Sequence, residues 1–387
     1  MGPAPCQDSR SGQGRNKVYN RFLTQARDVL IAALAMFSIA PGQVLMAQAA
    51  PPVVVDGDGT VHVPAMTVPV SGMLSPAAKA YVADHLRQMQ QPAMLVQNNG
   101  VPVFMEPYLQ RQNALFAHRR VATTLGGVPV YDYAPQSGIA KQNRQRVLIN
   151  LHGGGFSGCF PGCAELESIP IATLGRIRVV SVDYREAPGH RFPAASEDVA
   201  KVYQALLRRY PARNIGIYGC SAGGMLTGMA TAWFQAHGLP RPGAIGIFCA
   251  GLTMSGFGFG GDADFVAAPL GEGRAAPAWP PADPGTASKL AYFAGTDPND
   301  PLVSPGSSDA VVRRFPPTLI ITASRGFEVS SAIHAHTQLV RLGVESDLHV
   351  WEGLFHGFFY NADVPESRQA YDVIVRFFDR HLGHRGG

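Results

Sequence analysis

Hydrophobic and polar positions alternate in a regular rhythm from residue 119 onward. Runs rich in valine and isoleucine, typical of buried strands, are separated by segments whose apolar positions recur every three or four residues, typical of helices. The predicted strands cover 119–125, 128–135, 146–154, 177–184, 215–221, 244–251, 318–324 and 347–353. The predicted helices cover 163–175, 196–210, 222–238, 330–343 and 366–382. This alternation predicts a mostly parallel sheet covered by helices on both faces.

Two regions stand apart from this alternation. Residues 76–117 are predicted to form two helical segments, which follow an extended arm interrupted by prolines and glycines. Residues 252–317 are rich in glycine and proline, and a long excursion of this kind is usually functional or mobile. The predicted organisation is a leader over 1–49, an arm and helical cap over 50–118, and a catalytic domain over 119–387.

The leader carries most of the net charge. Residues 1–49 hold five basic and two acidic side chains, a net of +3 out of +4 for the chain. The apolar run from Val29 to Ala40 is shorter than the about 20 residues that a bilayer span needs. The small-residue pattern Ala47-Gln48-Ala49 follows it, which predicts a signal peptide cleaved before Ala50 and export to the periplasm or beyond. An uncleaved membrane anchor and a buried helix are the alternatives.

The rest of the chain is nearly neutral, so we expect no nucleic-acid partner and no membrane anchor after cleavage. Export favours disulfides. Cys159 and Cys163 flank a Pro-Gly turn, and they form either a short-loop disulfide or a pair of small buried side chains. Because no histidine or second cysteine pair stands at zinc spacing, no metal site is predicted.

The segment Gly219-Cys220-Ser221-Ala222-Gly223 lies between a predicted strand and a predicted helix. That context is typical of a nucleophile elbow, in which a sharp turn exposes a serine hydroxyl and glycines on either side let backbones pass closely. The alternative is that Ser221 merely caps the helix within a glycine turn.

A second motif, His152-Gly153-Gly154-Gly155-Phe156, begins within the end of the predicted strand 146–154. The N–H groups of Gly153 and Gly154, joined by that of Ala222, can stabilise a developing oxyanion. A phosphate-binding glycine loop is the alternative, but no lysine follows the motif.

His356 comes just after the last predicted strand, where a loop histidine can reach Ser221 and accept its proton. The other histidines are weaker candidates. His334 and His336 lie on a predicted helix, and His381 and His384 lie near the terminus. A purely structural histidine is the alternative.

Over residues 120–382 the chain resembles the bacterial hormone-sensitive lipase family of α/β-hydrolases. The likeness is carried by the two motifs above, by the His356 loop and by the turn at 183–195. It implies an α/β-hydrolase fold with a helical N-terminal cap, which residues 76–117 suit. It also implies hydrolysis of carboxylic esters, usually of short acyl chains, without a cofactor.

The chain departs from the family pattern at the catalytic acid. The resemblance places an aspartate at position 326, where this chain has a glycine. Glu328 stands two residues further on, and its side chain is one methylene longer. We therefore predict that Glu328 orients His356 and stabilises its cation. The alternatives are a different carboxylate or an incomplete triad.

The remaining predictions concern the substrate. Cys220, where the family has Asp or Thr, is interpreted as a packing residue beside the substrate pocket, together with His152 and Phe156. The cap and the loop 256–260 complete that predicted pocket. The sequence therefore predicts a serine carboxylesterase that acts on small or aryl esters. Two alternatives remain open: an amidase or lactonase with the same triad, and a non-catalytic binder on this scaffold. The oligomeric state also remains open, and a homodimer is one possibility.

Overall fold

The computed structural model describes residues 1–2, 54–59, 61–62, 67–98, 100–253 and 291–383. Nearly all of the predicted leader, and the loop 256–260, lie outside the described residues. The chain divides into two compact units, Met1–Val68 and Pro69–Gly387. In the first unit, the short strands β1 (Val54–Val55) and β2 (Val61–His62) pair in antiparallel fashion.

The second unit is built around an eight-stranded sheet, which a small antiparallel pair, β3 (Gln97–Asn98) and β4 (Val101–Pro102), precedes in the chain. The strands of the large sheet are β5 (His118–Leu125), β6 (Val128–Pro135), β7 (Val147–Leu151), β8 (Arg178–Val182), β9 (Ile215–Cys220), β10 (Ala244–Phe248), β11 (Thr318–Ala323) and β12 (Ser346–Trp351). Their spatial order is β12-β11-β10-β9-β7-β8-β6-β5. Only the pairings of β6, with β5 and with β8, are antiparallel, which confirms the predicted mostly parallel sheet.

Helices cover both faces of the sheet. Those in the described residues are α1 (Pro76–Gln88), α2 (Glu106–Leu115), α3 (Gly162–Leu174), α4 (Ala194–Leu207), α5 (Ala222–Ala236), α6 (Asp309–Val312), α7 (Val329–Arg341) and α8 (Pro365–His381). The strands alternate between two cores, as β7 shows: Val147, Ile149 and Leu151 pack with α4, α5 and α7, whereas Leu148 packs with α3 and α8. No helix among the described residues has the length and apolar character needed to cross a bilayer.

The parallel register brings the functional segments to one edge of the sheet. Leu151, the last residue of β7, lies opposite Gly219 near the end of β9. The loops that follow β7, β9 and β11 therefore emerge at the same edge of the sheet, at the carboxyl ends of the strands, where open parallel sheets bind ligands.

The helical segment before the sheet is fastened to the end of the chain. The Ser75 hydroxyl caps α1 by accepting from the Ala78 N–H, at 3.1 Å. The Ser75 N–H and hydroxyl each donate to the Glu366 carboxylate at 2.9 Å, in the first turn of α8. The buried Gln112 side chain in α2 donates to the Tyr360 carbonyl at 2.9 Å. These bonds hold α1 and α2 beside the loop that follows β12.

Candidate active site

Ser221 occupies the tight turn between β9 and α5. Its φ of 60° and ψ of −124° are uncommon for a residue other than glycine, and such strain is concentrated at functional sites. The Ser221 N–H donates to the Phe248 carbonyl of β10 at 2.8 Å, which anchors the turn to the neighbouring strand. The strand-turn-helix geometry predicted for this segment is present.

The glycines on either side of Ser221 are required by a close approach of two backbones. A Cβ atom on Gly219 would lie 2.2 Å from the Leu151 carbonyl oxygen, and one on Gly223 would lie 1.7 Å from the same atom. Any side chain at these positions would force β7 and the turn apart. Their absence keeps Ser221 beside the glycine loop that follows β7.

That glycine loop differs from the prediction in one respect. The Gly153 N–H donates to Glu167 Oε1 at 2.9 Å, so the prediction that it is free to bind an oxyanion is wrong. Gly154 and Gly155 have φ values of 119° and 65°, and their N–H groups meet no acceptor within the described part of the chain. The N–H of Ala222, the first residue of α5, has no partner within its own helix because it belongs to the first turn.

His356 and Glu328 are in contact. His356 Nδ1 lies 3.0 Å from Glu328 Oε2, and the Thr322 hydroxyl donates to the other carboxylate oxygen, Oε1, at 2.9 Å. The Glu328 side chain is fully buried, whereas that of His356 is 15% exposed. The histidine ring therefore has one nitrogen beside a buried carboxylate, in a side chain that keeps some access to solvent.

Two further bonds join the loops that carry this pair. The Arg325 N–H donates to the Leu354 carbonyl at 2.9 Å, and the Gly353 N–H donates to the Ser324 hydroxyl at 2.7 Å. The loop after β11 and the loop after β12 are thus held as one structure, which fixes the position of His356 relative to Glu328.

The glycine at position 326 leaves the space that the Glu328 carboxylate fills. A Cβ atom on Gly326 would lie 2.5 Å from Glu328 Oε1 and 2.8 Å from Oε2. The φ of Gly326 lies outside the left-handed region, so backbone conformation does not demand glycine there. The Glu328 carboxylate and the absence of a side chain at position 326 are therefore two parts of one arrangement.

A cavity of about 220 Å³ joins these elements. It is lined by His85, Gln97, Pro102, Phe104, Met105, Gly153, Gly154, Gly155, Cys159, Cys163, Ser221, His356 and Tyr360. Ser221 and His356 thus face the same space, and residues between positions 85 and 105 close its far side.

The prediction that His152, Phe156 and Cys220 line the pocket is wrong. The His152 ring is fully buried and stacks on Tyr184, with ring centroids 4.3 Å apart. Phe156, whose φ is 56°, turns into the core and stacks on Tyr292 at 4.8 Å. Cys220 is 1% exposed, because its side chain points into the core on the side of the sheet that faces α3 and α8.

The cysteines divide into two kinds. Cys159 and Cys163 form a disulfide in the wall of the cavity, with Cα atoms 5.3 Å apart, which settles the alternative that the sequence leaves open. Cys220 and Cys249 are free and buried, and burial raises the pKa of each thiol. A thiol of raised pKa is a poor nucleophile, which favours Ser221 over Cys220 in that role.

Within the described residues, one group of metal-binding side chains comes close together. Ligand atoms of Cys249, Glu328 and His356 all lie within 4.8 Å of one another. Two of these residues are the hydrogen-bonded pair described above, so the group consists of that pair with one buried thiol beside it.

Glu167, a buried carboxylate in α3 beside the glycine loop, is not indicated by any of the sequence motifs above. It accepts four hydrogen bonds, and burial raises its pKa to about 7. The signal available in the sequence is a glutamate within a helical segment that is otherwise largely apolar, between Gly162 and Leu174.

An eight-stranded, mostly parallel sheet with a strained serine after its central strand defines the class of α/β hydrolases. A family described as alpha/beta hydrolase fold matches residues 148–360, and the chain belongs to this family. The predicted fold and the predicted resemblance are confirmed.

Individual relatives agree with this assignment. The chain is 28% identical over 245 residues to an acetyl-hydrolase of Streptomyces hygroscopicus, covering 62% of this chain and 77% of that protein. The crystal structure of esterase E25 is similar with a TM-score of 0.69 and 27% identity, covering 83% of this chain and 98% of that one. An esterase of the bacterial hormone-sensitive lipase family has a TM-score of 0.63 and 24% identity, covering 80% and 99%.

Proposed function

We propose that this protein is a serine carboxylesterase that hydrolyses short-chain or aryl esters through an acyl-enzyme intermediate. One observation carries the proposal. Ser221, His356 and two glycines whose N–H groups have no acceptor among the described residues line a single cavity, and the buried Glu328 carboxylate contacts His356. Relatives named acetyl-hydrolase and esterase support ester hydrolysis as the reaction class.

In the proposed mechanism, the Ser221 hydroxyl attacks the ester carbonyl while His356 Nε2 accepts its proton. The negative oxygen that forms is stabilised by the N–H groups of Gly154, Gly155 and Ala222. The ester C–O bond then breaks, and the departing alkoxide takes the proton from His356. Water, activated by the same histidine, attacks the acyl-enzyme, releases the carboxylic acid and returns the proton to Ser221.

Glu328 has an indirect part in these steps. With Oε1 occupied by the Thr322 hydroxyl, Oε2 accepts from His356 Nδ1–H and leaves Nε2 as the basic nitrogen that faces Ser221. The buried carboxylate also stabilises the imidazolium that forms when Ser221 is deprotonated.

The cavity supports a small substrate. Its volume of about 220 Å³ is below the roughly 300–1,000 Å³ of sites that hold drug-sized ligands. Phe104 and Met105 give its far wall an apolar surface, which suits a short acyl chain or an aryl group better than a long triglyceride chain.

The test compares hydrolysis of p-nitrophenyl acetate, butyrate and decanoate, together with labelling by a fluorophosphonate. We expect turnover of acetate and butyrate and poor turnover of decanoate. Ser221→Ala should lose both turnover and labelling, whereas Ser137→Ala, an exposed serine in the turn after β6, should keep both.

The possible outcomes separate the alternatives. Undiminished hydrolysis by Ser221→Ala contradicts the proposed mechanism. Labelling of the unmutated protein without ester turnover directs attention to amides or lactones, which the same triad can cleave. An unmutated protein that neither labels nor turns over any ester is a non-catalytic binder on a hydrolase scaffold.

We further infer that the protein is exported, on the basis of the basic and apolar leader alone. Expression of the full chain in a Gram-negative bacterial host should yield a periplasmic form whose N-terminal sequence begins at Ala50. A cytoplasmic chain that keeps its leader contradicts this inference.

A further inference from the structure

Glu167 lies where the segments proposed to carry the reaction converge. Its Oε1 accepts from the Gly153 N–H at 2.9 Å and from the Tyr360 hydroxyl at 3.0 Å. Its Oε2 accepts from the Asn150 side chain at 2.8 Å and from the Cys220 N–H at 3.3 Å. Each carboxylate oxygen therefore has two donors.

Three of those donors are adjacent to groups of the proposed mechanism. Gly153 immediately precedes the glycines whose N–H groups would bind the oxyanion, and Cys220 immediately precedes Ser221. Tyr360 belongs to the segment that follows His356 and lines the same cavity. One side chain of α3 thus contacts the loop after β7, the nucleophile turn and the segment after β12.

We propose that Glu167 is a positioning residue, which holds the oxyanion loop and the nucleophile turn in register for the reaction. This inference rests on the proposed function. In the absence of this carboxylate, the Gly153 N–H and the Cys220 N–H would have no common acceptor, and this hydrogen-bonded link between the two segments would be lost.

The chemistry of the partners explains why a carboxylate is needed. Main-chain N–H groups and the Asn150 amide nitrogen can only donate, and a carboxylate is the side chain that offers acceptors alone. The Ser181 hydroxyl donates to Asn150 Oδ1 at 3.0 Å, which keeps the amide nitrogen turned toward Glu167. A glutamine at position 167 would match the shape but would place its NH₂ group against donors.

The cost of this carboxylate argues against a role in packing alone. Among the described residues no lysine, arginine or histidine forms a salt bridge with it, so its charge is balanced only by hydrogen bonds. Burying an ion in this way costs more than burying an apolar side chain of similar size. A leucine would fill the same space more cheaply, but it would leave the Gly153 and Cys220 N–H groups without an acceptor.

The test is Glu167→Gln, with kcat for p-nitrophenyl butyrate expressed per active site titrated by a fluorophosphonate. Removing one oxyanion donor costs about 10²- to 10³-fold in kcat. Because the glutamine shifts the loop without removing a donor, we expect a loss of about 10- to 100-fold in kcat per titrated site, with KM within about threefold.

The matched control is Glu165→Gln, the same substitution two residues away in α3, where the carboxylate contacts Arg120 instead of the catalytic loops. It should keep kcat per titrated site within about twofold. Tyr360→Phe is the second test, because it removes one donor but keeps the carboxylate. It should lower kcat per site by less than Glu167→Gln does.

The outcomes are distinct. Fewer titratable sites with unchanged kcat per site in Glu167→Gln would overturn the inference, since that pattern marks a purely structural residue. If Glu167→Gln does not fold, an unchanged kcat per site in Tyr360→Phe overturns it instead. Failure of the unmutated protein to label or to turn over ester contradicts the proposed function and not this inference.

Discussion

Moving the proposed catalytic acid from position 328 back to position 326 tests how the two positions are coupled. The carboxylate of Glu328 lies where a side chain on residue 326 would begin, with Oε1 2.5 Å and Oε2 2.8 Å from the position of that Cβ. The two side chains cannot occupy this space together. Each single substitution should therefore be harmful, and the pair should be less harmful than the loss of the acid alone.

The expected losses of activity follow from two effects, which are the loss of the catalytic acid and the overfilling of the space beside residue 326. Loss of a triad acid costs about 10⁴-fold in turnover, or about 5.4 kcal/mol at 1.36 kcal/mol per tenfold, so Glu328→Ala should fall by about that factor. Gly326→Asp alone overfills the site, at a cost of about 1–3 kcal/mol, and it adds a second carboxylate that opposes ionisation of the first. We expect about a five- to hundredfold loss from Gly326→Asp.

The double variant Gly326→Asp/Glu328→Ala puts a carboxylate into the vacated space. Its Cβ starts beside the former carboxylate, so the new oxygens can reach His356 Nδ1 and the Thr322 hydroxyl without a change of backbone. The new oxygens need not reproduce the distances of the original pair. We therefore expect recovery of about a hundredfold over Glu328→Ala, rather than full activity.

The assay is kcat/KM for p-nitrophenyl butyrate per titrated site, with thermal unfolding recorded for every variant. Glu352→Ala removes an exposed carboxylate from the loop before His356 and should match the unmutated enzyme. A double variant no more active than Glu328→Ala refutes the idea that the space beside Gly326 is the acid site. Full activity in Glu328→Ala refutes the role of Glu328 itself.

Three other predictions concern the walls of the site. Replacing Cys159 and Cys163 by serine opens a five-residue loop, which should lower the free energy of unfolding by about 2 kcal/mol in urea titrations; an unchanged value contradicts a stabilising disulfide. Gly154→Ala adds a Cβ 2.0 Å from the Gly158 carbonyl oxygen, and the resulting displacement of the Gly154 N–H should lower kcat by about 10²- to 10³-fold. In the control Gly189→Ala, the new methyl meets nothing nearer than 4.0 Å, so kcat should not change measurably. Burial raises the pKa of Glu167 to about 7 in the folded protein, so the contribution of this group to stability is present below its unfolded pKa of 4.5 and is lost as pH rises through 7. Thermal unfolding from about pH 5 to pH 8 should therefore show the unmutated protein losing stability relative to Glu167→Gln. Parallel curves for the two proteins contradict this prediction.

The fold could be predicted from the sequence because local and long-range signals agree. Most predicted strands from residue 119 onward are valine- or isoleucine-rich runs bounded by glycine or a polar turn. The structure places a strand at every one of them, although β5 and β12 each begin one residue earlier than predicted. The Gly126-Gly127 pair, with φ of 59° and 82°, forms the hairpin turn between β5 and β6. The nucleophile turn was predictable for the same reason, since its glycines are needed within a few residues of Ser221.

The parts of the site that sequence did not predict depend on contacts between distant segments. Whether the Gly153 N–H is free depends on a side chain of α3, and no local pattern in the glycine motif reports that bond. The sequence predicts that Phe156 lines the pocket, but in the structure this residue has a positive φ and its ring stacks on Tyr292. Part of the cavity lining, Phe104 included, comes from the segment before β5, whose docking onto the sheet follows from bonds such as that between Ser75 and Glu366.

In the proposed mechanism, the catalytic acid comes from position 328 and not from position 326, where the resemblance places an aspartate. Glu328 immediately precedes α7, where a side chain often caps the helix, yet its carboxylate makes no capping bond and points back toward the end of β11. There the Thr322 hydroxyl binds Oε1, so that Oε2 is left for His356. The extra methylene of glutamate supplies the reach, and the glycine at 326 supplies the room. A change at either position alone would break the arrangement, so we infer that the catalytic requirement is a carboxylate at this point in space, which the chain can supply from either residue.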